Sequence, residues 1–411
     1  MVTDAVDAVR AGAVLEPLDW RPEDNYGSCN SLTERIPTSP LMDHSYDDLT
    51  YGYSMTNDES SDSYSSIKRF VYQTSRWAGL FRVASRKTEQ FLRILCYHGF
   101  STDDESRFRP RLFIRPLTFQ NRIEYLRRNS FSILTLDQAL QHLATATVPP
   151  RAVVITVDDG FFSFYEHGVP ILRKFSCPAT VYVATADFVR SQPIFRLVVQ
   201  YMFWKSKAEL PRLEGLCDAS ELPVQLTAPE ARRQAMWKIV QFGDSLNTDA
   251  ERADLACELG RRLGIDYGDI VRRRGFCVMR PEELSNLAAY NIDVQLHTHN
   301  HRFPEAANLA EREILKNREI LSPLLKKPLV HFCYPSGIWS RKHWPVLAAT
   351  GIQSAMTCEP GLNDSQTTKY ELRRFLDGED IGQVEFDAEM CGYSELMRRV
   401  SSRFRHRFSS S

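Results

Sequence analysis

The sequence predicts an α/β fold in which helices cover a mostly parallel β-sheet. Short apolar segments rich in Val and Ile, such as Ala152–Val157 and Ile292–Leu296, recur between longer segments with the period of an amphipathic helix. Strands that are apolar without interruption are buried on both faces, as in a parallel sheet. The repeated order is compatible with an α/β barrel or with a doubly wound sheet.

The elements of this alternation can be assigned in chain order. The predicted strands cover residues 93–98, 152–157, 178–184, 292–296, 329–334 and 372–376. Thr118 precedes a helix that reaches Leu126, and Thr135 caps the next, because a threonine hydroxyl can accept a hydrogen bond from the first helical turn. Further helices are predicted over residues 309–325 and from Trp344 to a glycine stop at Gly351.

The alternation defines a predicted domain over residues 91–390, with extensions on both sides. Within it, residues 195–275 are polar and helix-rich (229–242 and 249–263) and are predicted as an insertion. Residues 1–65 hold 13 acidic and three basic side chains, a net charge of −10, and few aliphatics, which predicts a disordered extension. A regulatory or partner-binding role is the less favoured alternative. Residues 391–411 form a basic tail, interpreted as a solvated end.

Residues 66–90 are predicted as a basic amphipathic helix. Between positions 67 and 87, six Lys or Arg side chains alternate with apolar ones that include Phe70 and Trp77. This pattern is typical of a helix at a membrane interface. It is equally typical of a helix that packs its apolar face on the adjoining domain, and this second interpretation is preferred by a small margin.

Composition narrows the class of protein. The 411 residues include 51 basic and 52 acidic side chains, which argues against a nucleic-acid binder that works by charge alone. No apolar run is long enough to span a bilayer, and no secretory signal is visible. The nine scattered cysteines contain no CxxC pair, as expected of buried thiols in a reducing compartment. We therefore expect a cytoplasmic protein, at the membrane face if residues 67–87 bind lipid.

Two adjacent carboxylates follow the apolar strand 152–157. Asp158 and Asp159 at a strand end point to different sides, so one can bind a metal while the other accepts a proton. Gly160 then allows a sharp turn. Taken alone, this motif is more often a turn or a helix N-cap.

A histidine cluster follows the strand 292–296. Three of the ten histidines, His297, His299 and His301, fall within five residues. His297 and His301 with one carboxylate form the ligand set of many catalytic zinc sites and of other divalent sites with open positions. His299 alternates with His297 along an extended segment and is interpreted as structural.

Together these motifs resemble those of the polysaccharide deacetylases, the NodB-homology family or carbohydrate esterase family four. TVDDG (156–160) resembles the family's TFDDG, HTHNH (297–301) resembles its H(S/T)xxH, and FCYPSG (332–337) resembles its third motif in the YPxG form. The resemblance covers about residues 93–389. It implies a distorted (β/α) barrel with fewer than eight regular strands and an active site at their carboxyl ends.

The resemblance also implies roles for individual residues. Asp159, His297 and His301 would hold a divalent metal, expected to be zinc, and Asp158 would be the general base for the water that the metal activates. The substrate and its oxyanion would lie near Tyr334, Pro335 and Ser336, where a backbone N–H can stabilise the developing charge.

The sequence departs from the family at two positions. Cys333 stands where the third motif usually has an Arg that orients the base, and Arg373 or Arg374 is the suggested replacement. The usual late histidine that acts as general acid is absent, and His98, at the end of the first strand, is the suggested replacement. The chain resembles family members that place a Tyr-His element on the first strand.

These observations favour a hydrolase that removes N-acetyl groups from an amino-sugar glycan or from a glycan precursor such as a lipid-linked sugar. Another metal-dependent amidohydrolase is disfavoured because such enzymes place an HxH motif on the first strand, whereas here it follows Asp158 by some 140 residues. A non-catalytic carbohydrate-binding relative stays open because of Cys333 and the missing late histidine.

Overall fold

The computed structural model describes residues 59–190, 192–207, 213, 215–216 and 228–408, with side chains between 66 and 402 apart from residue 190. The predicted disordered extension, residues 1–65, lies outside this description except for the backbone of 59–65, which is helical.

A curved parallel sheet forms the centre of the fold. Its strands are β1 (Arg93–Tyr97), β4 (Ser132–Ile133), β5 (Ala152–Val157), β6 (Ala179–Val183), β7 (Ile292–Leu296), β8 (His331–Cys333), β9 (Ser354–Met356) and β10 (Phe375–Leu376). A separate pair consists of β2 (Gly99–Phe100) and β3 (Phe113–Ile114). The sheet order is β10-β1-β5-β6-β7-β8-β9, and β4 pairs with the start of β5. Every strand pair is parallel, as the continuous apolar segments predict.

The sheet closes through irregular backbone. Leu372 forms a parallel bridge with Met356 of β9, and the amide of Leu372 donates to the carbonyl of Ala355 at 3.1 Å. Only Phe375 and Leu376, three residues later, pair with β1. The predicted strand 372–376 therefore pairs with two different strands, with β9 at its start and with β1 at its end. Strand β9 itself was not predicted. The arrangement is a distorted (β/α) barrel, which confirms the predicted fold class, although its sheet has eight strands within the described residues where fewer than eight regular strands are predicted.

Sixteen α-helices surround the sheet within the described residues. They are α1 (Glu59–Trp77), α2 (Leu80–Lys87), α3 (Glu105–Phe108), α4 (Pro116–Arg128), α5 (Leu136–Ala144), α6 (Val169–Lys174), α7 (Thr185–Arg190), α8 (Phe195–Lys205), α9 (Pro229–Ser245), α10 (Asp249–Leu263), α11 (Tyr267–Arg273), α12 (Pro281–Asn286), α13 (Ala307–Leu321), α14 (Trp344–Ala349), α15 (Gln383–Met390) and α16 (Tyr393–Phe408). Thr135 caps α5 in a capping box with Gln138, as its position predicts. Helix α4 begins two residues before Thr118, at Pro116, because proline suits the first helical turn. None of these helices is long and apolar enough to cross a bilayer.

The helices α8 to α11 occupy the predicted insertion. Their buried side chains, including Met202, Met236, Ile239 and Leu259, form a hydrophobic cluster distinct from that of the barrel. After α11 the chain returns to the sheet beside the loop that follows β5, where the amide of Met279 donates to the carbonyl of Gly160 at 2.9 Å. The insertion is therefore anchored next to the Asp158–Asp159 segment.

The predicted basic helix is two helices, α1 and α2, that meet at Gly79. Gly79 has φ of 78°, a left-handed conformation that glycine adopts without strain. The preferred interpretation, that the apolar side of this segment packs on the domain, is wrong for α1, because Phe70 and Trp77 are exposed. It holds for part of α2, where Phe81 and Ala84 are buried. The predicted tail is largely the helix α16, whose first residues are buried.

Candidate metal centre and active site

Four segments that follow parallel strands supply the site. Asp158 and Asp159 come directly after β5, His297 after β7, Tyr334 after β8 and His98 after β1. Since parallel strands present their carboxyl ends at the same edge of a barrel, the fold brings these side chains together.

Asp159, His297 and His301 form a compact three-ligand group. Asp159 Oδ1 lies 3.3 Å from His297 Nε2 and 3.2 Å from His301 Nε2. Two bonds of roughly 2.0–2.1 Å to one tetrahedral zinc ion would separate their ligand atoms by about 3.3–3.4 Å. The observed spacing is compatible with one shared divalent ion, and the three side chains are a candidate ligand group.

The unsatisfied polar atoms of this group also fit a metal. Among the described residues, Asp159 Oδ1 and His301 Nε2 are buried without a hydrogen-bond partner, which is uncommon for buried polar atoms. Burial raises the pKa of Asp159, but the charge of His301 and then the contact with His297 outweigh it, so this pKa lies well below its ordinary value. Burial lowers the pKa of His301, and the adjacent Asp159 more than reverses that effect. A bound cation would bind the Asp159 carboxylate oxygen and the deprotonated His301 nitrogen.

Contacts on the side of the ring opposite Nε2 fix the orientation of His297. Its Nδ1 lies 2.8 Å from the carbonyl oxygen of Cys333, which favours the tautomer with the proton on Nδ1 and leaves Nε2 free to bind a metal. Asn317, fully buried on α13, accepts a hydrogen bond from the His297 amide at 2.9 Å and donates one to the carbonyl of Val183. Glu313, one turn earlier, accepts from the amides of residues 299 and 300.

Sequence reasoning missed both Asn317 and Glu313. A signal was available for Asn317, since it falls on the same helical face as Ala310, Ile314 and Leu321, all of which are buried. A polar residue on a buried helical face needs a specific partner, and here the partner is the loop that carries the ligands.

Three non-glycine residues of the loops that carry the ligand group have left-handed backbone. Asp159, Thr298 and His301 have φ of 67°, 65° and 53°. Such conformations cost about 1–3 kcal/mol each and concentrate at functional sites, where the surrounding structure imposes them. The loops after β5 and β7 are therefore held in the shape that brings the three ligand atoms together.

Asp158 does not join the ligand group because a buried arginine occupies both of its carboxylate oxygens. Arg374 Nη1 donates to Asp158 Oδ1 at 2.8 Å, and Arg374 Nη2 donates to Oδ2 at 2.7 Å. Burial raises the pKa of Asp158, but the Arg374 charge and its two hydrogen bonds more than compensate, so this pKa lies well below its ordinary value. Asp158 is therefore ionised and held in one orientation at neutral pH.

Of the two arginines suggested as replacements, Arg374 and not Arg373 contacts Asp158. Arg373 is exposed, whereas Arg374 is buried and also donates to the carbonyl of Thr357 at 2.8 Å. The Cys333 thiol lies 3.3 Å from Asp158 Oδ2, and burial raises its pKa well above the ordinary value, so it is a neutral neighbour of the ion pair.

His98 is buried beside the base. Its Nε2 lies 4.0 Å from Asp158 Oδ2. Burial lowers the pKa of His98, and Asp159 and Asp158 offset only part of that effect. His98 is therefore an imidazole at the site that is not one of the three ligands.

The predicted oxyanion residues differ in what they can offer. The amide of Tyr334 donates to the carbonyl of Met356 at 3.1 Å, and its hydroxyl donates to the carbonyl of Tyr370 at 3.1 Å. Pro335 has no N–H. Ser336 has φ of 58° in the tight turn 335–337 and, unlike Pro335, has an amide N–H.

His299 and His331 point away from the ligand group. His299 Nδ1 lies 3.0 Å from the hydroxyl of Thr185. His331 is bound on both nitrogens, to Ser354 and to Asp137, each at 2.9 Å. Both are structural, as the alternation of side chains predicts for His299.

Part of the chain matches a known family. Residues 257–355 match the family model described as Polysaccharide deacetylase. This region contains His297 and His301, and Asp158 precedes it. The match confirms the predicted resemblance at the level of this domain, while the specific motif variant stays a prediction.

Two curated relatives share shorter stretches. Over 80 residues the chain is 31% identical to the poly-β-1,6-N-acetyl-D-glucosamine N-deacetylase of Escherichia coli K12. These 80 residues are 19% of this chain and 12% of that protein. Over 67 residues it is 34% identical to the enzyme of the same name from Staphylococcus aureus MSSA476, 16% of this chain and 23% of that protein. The chain thus spans less than a quarter of the length of either relative.

Two solved structures align with a larger share of this chain. The deacetylase PplD of Streptococcus pyogenes, solved with acetate, aligns with a TM-score of 0.49 at 15% identity over 74% of this chain and 99% of that one. IcaB from Ammonifex degensii aligns with a TM-score of 0.48 at 17% identity over 74% and 97%.

Proposed function

We propose that this chain, in which residues 257–355 carry a polysaccharide deacetylase domain, is a metal-dependent hydrolase that removes N-acetyl groups from an amino-sugar glycan. The observation that carries the proposal is the pairing of two adjacent carboxylates with different partners. Asp159 lies with two histidines in a metal-ligand geometry, while Asp158 is held apart by Arg374. A carbohydrate-binding module has no need of a metal-ligand group next to a fixed, ionised base.

Each carboxylate then has one task. Asp159, His297 and His301 would hold a divalent ion, with zinc the first candidate, because the group offers imidazole nitrogens and one carboxylate oxygen. Such an ion would supply Lewis acidity and lower the pKa of a bound water. Asp158 accepts the proton of the attacking water, and the amide of Ser336 stabilises the negative charge that develops on the acetamide oxygen.

The first test is metal content per chain in the wild type and in His301→Ala. We expect about one tightly held divalent ion in the wild type and its loss in the variant, because two of three ligands rarely retain a metal. Elemental analysis of identically prepared samples measures this. His331→Ala is the matched control, since that histidine is buried but not a ligand. A wild type that takes up no metal even after loading contradicts the proposal.

We assign the general acid to His98. Hydrolysis of an amide needs a proton on the leaving amine. The proton that Asp158 takes from the attacking water passes to His98, whose Nε2 lies 4.0 Å from Asp158 Oδ2, and from His98 to the leaving amine, so His98 is neutral before the reaction. We expect His98→Gln to lower kcat for acetate release by about 10²-fold or more with the metal retained, within the range known for general acids. Unchanged turnover in this variant would remove His98 from the mechanism.

The proposed substrate class is a β-linked N-acetylglucosamine polymer or a lipid-linked precursor. The support for the polymer is the similarity to two poly-β-1,6-N-acetyl-D-glucosamine N-deacetylases. We would assay acetate release first from β-1,6-linked N-acetylglucosamine oligomers, and then from chitin oligomers as the comparison for linkage.

A further inference from the structure

Helix α1 carries its apolar side chains on the outside of the protein. Ile67, Phe70, Val71 and Trp77 follow one another at the spacing of a single helical face. Their exposed fractions are 63%, 66%, 41% and 92%. An amphipathic helix of a globular domain normally presents such a face to the core, so the orientation of α1 is inverted.

Specific polar contacts fix this orientation. The inward face of α1 is polar: Lys68 pairs with Glu385, and the Ser75 hydroxyl lies 2.8 Å from that of Tyr393. Arg76 Nη1 donates to Asp387 Oδ2 at 2.8 Å. The apolar face could turn inward only if these contacts to α15 and α16 were broken. Its exposure is therefore a property of the packed domain.

The apolar surface continues onto α2. Leu80 and Val83 are 45% and 50% exposed, while Phe81 between them is buried and packs on the ring of Tyr393 at 5.1 Å. Gly79 makes the turn that joins the two helices. We call Ile67, Phe70, Val71, Trp77, Leu80 and Val83 the apolar stripe.

Basic side chains surround the apolar stripe. Residues 66–87 contain six Lys or Arg and no Asp or Glu. Four of the six are exposed and have no ion-pair partner among the described residues: Arg69, Arg82, Arg86 and Lys87. A large exposed apolar surface marks an interaction site, and its basic surroundings select an anionic partner.

We propose that the apolar stripe and its basic flanks dock on an anionic phospholipid bilayer. Trp and Phe on the apolar face and Lys or Arg at its edges are the composition of helices that lie in the headgroup region. A second copy of the chain is disfavoured as the occupant, because a twofold contact would bring two surfaces of the same positive charge together. The surface shares no residue with the metal centre, so this inference is independent of the proposed function.

Vesicle flotation of the full-length chain tests the proposal. The probes are unilamellar vesicles of phosphatidylcholine alone and vesicles that also contain about 30 mol% phosphatidylglycerol. We expect the wild type to float only with the anionic vesicles and to be released at high salt, because screening weakens the basic contribution. The double variant Phe70→Ser/Trp77→Ser should bind at least about tenfold more weakly, since it removes two large apolar groups.

The matched control is Leu117→Ser on α4, an apolar residue that is 65% exposed outside the stripe and should leave flotation unchanged. Because all substituted side chains are exposed, the thermal unfolding midpoint should change little in every variant.

A wild type that stays with the unbound fraction on anionic vesicles overturns the proposal. In that case sedimentation velocity of the same samples shows whether a second copy occupies the stripe. Equal flotation of the wild type and the double variant would also overturn it.

Discussion

Asp158→Asn should abolish most of the turnover while leaving the metal in place. Asparagine keeps the shape of the side chain and one oxygen for Arg374, but it cannot accept a proton. We expect kcat for acetate release to fall on the order of 10²–10⁴-fold with KM nearly unchanged, since a general base contributes to the transition state and little to binding. Metal content by elemental analysis should stay at the wild-type value.

The neighbouring substitution Asp159→Asn is the matched control. It changes the same chemical group one residue along the chain, but it removes a ligand, so metal content and turnover should fall together. If Asp158→Asn instead loses the metal, Asp158 is a ligand and the assigned roles of the two carboxylates are wrong. If it retains wild-type turnover, the base lies elsewhere.

The strands that carry the site could be predicted from the sequence because they are uninterrupted runs of apolar residues, which is the pattern of strands buried on both faces. Segments 152–157 and 292–296 were predicted with the bounds that the structure has, since a continuous apolar run of that length has few other uses in a parallel sheet. The chemistry-bearing residues then follow from position, directly after each strand. β9 was missed because Ser354–Met356 is three residues long and has no such pattern.

Whether the apolar face of α1 packs on the domain or lies exposed could not be predicted from the sequence. The sequence pattern shows which residues share a face, but not whether that face contacts the protein. Its apolar period is regular, and the usual inference places such a face against the core. The deciding residues are Glu385 and Asp387, more than 300 positions away, whose carboxylates bind the basic side of α1. Long-range pairing of this kind is invisible to local periodicity.

The sequence suggests either Arg373 or Arg374 as the partner of Asp158. The alternation of side-chain directions along an extended segment distinguishes the two. Leu372 and Arg374 are buried and Arg373 between them is exposed, as successive side chains of extended backbone require. An inward Leu372 therefore predicts an inward Arg374, which is the partner of the buried Asp158.

Removal of Arg374 should have the second large effect, on stability and on turnover. Arg374→Met leaves the Asp158 carboxylate buried without its partner, and such a loss typically costs about 3–5 kcal/mol. The thermal unfolding midpoint should fall accordingly. The double variant Arg374→Met/Asp158→Asn, which buries no charge at this position, should recover much of that stability if the penalty comes from the unpaired carboxylate.

The pH dependence of kcat/KM and of stability shows whether Arg374 positions the base Asp158 or only stabilises the fold. In the wild type the pKa of Asp158 lies well below its ordinary value, so its contribution to stability is complete above the pKa of the unfolded chain and is lost only as pH falls through the depressed value. Without Arg374, burial raises this pKa against only the smaller opposing effects of His297 and His98. The acid limb of the kcat/KM profile should therefore move to higher pH in Arg374→Met, and the variant should lose stability as pH rises.

Arg374→Lys keeps the charge but not the two-point contact. We expect it to restore most of the stability and to leave the acid limb near the wild-type position, while kcat stays reduced because a single ammonium group cannot fix both carboxylate oxygens. Full recovery of kcat in this variant would show that the charge of Arg374 suffices and that its geometry does not orient the base. A profile that does not move in Arg374→Met would show that Asp158 is not the group whose ionisation limits the reaction.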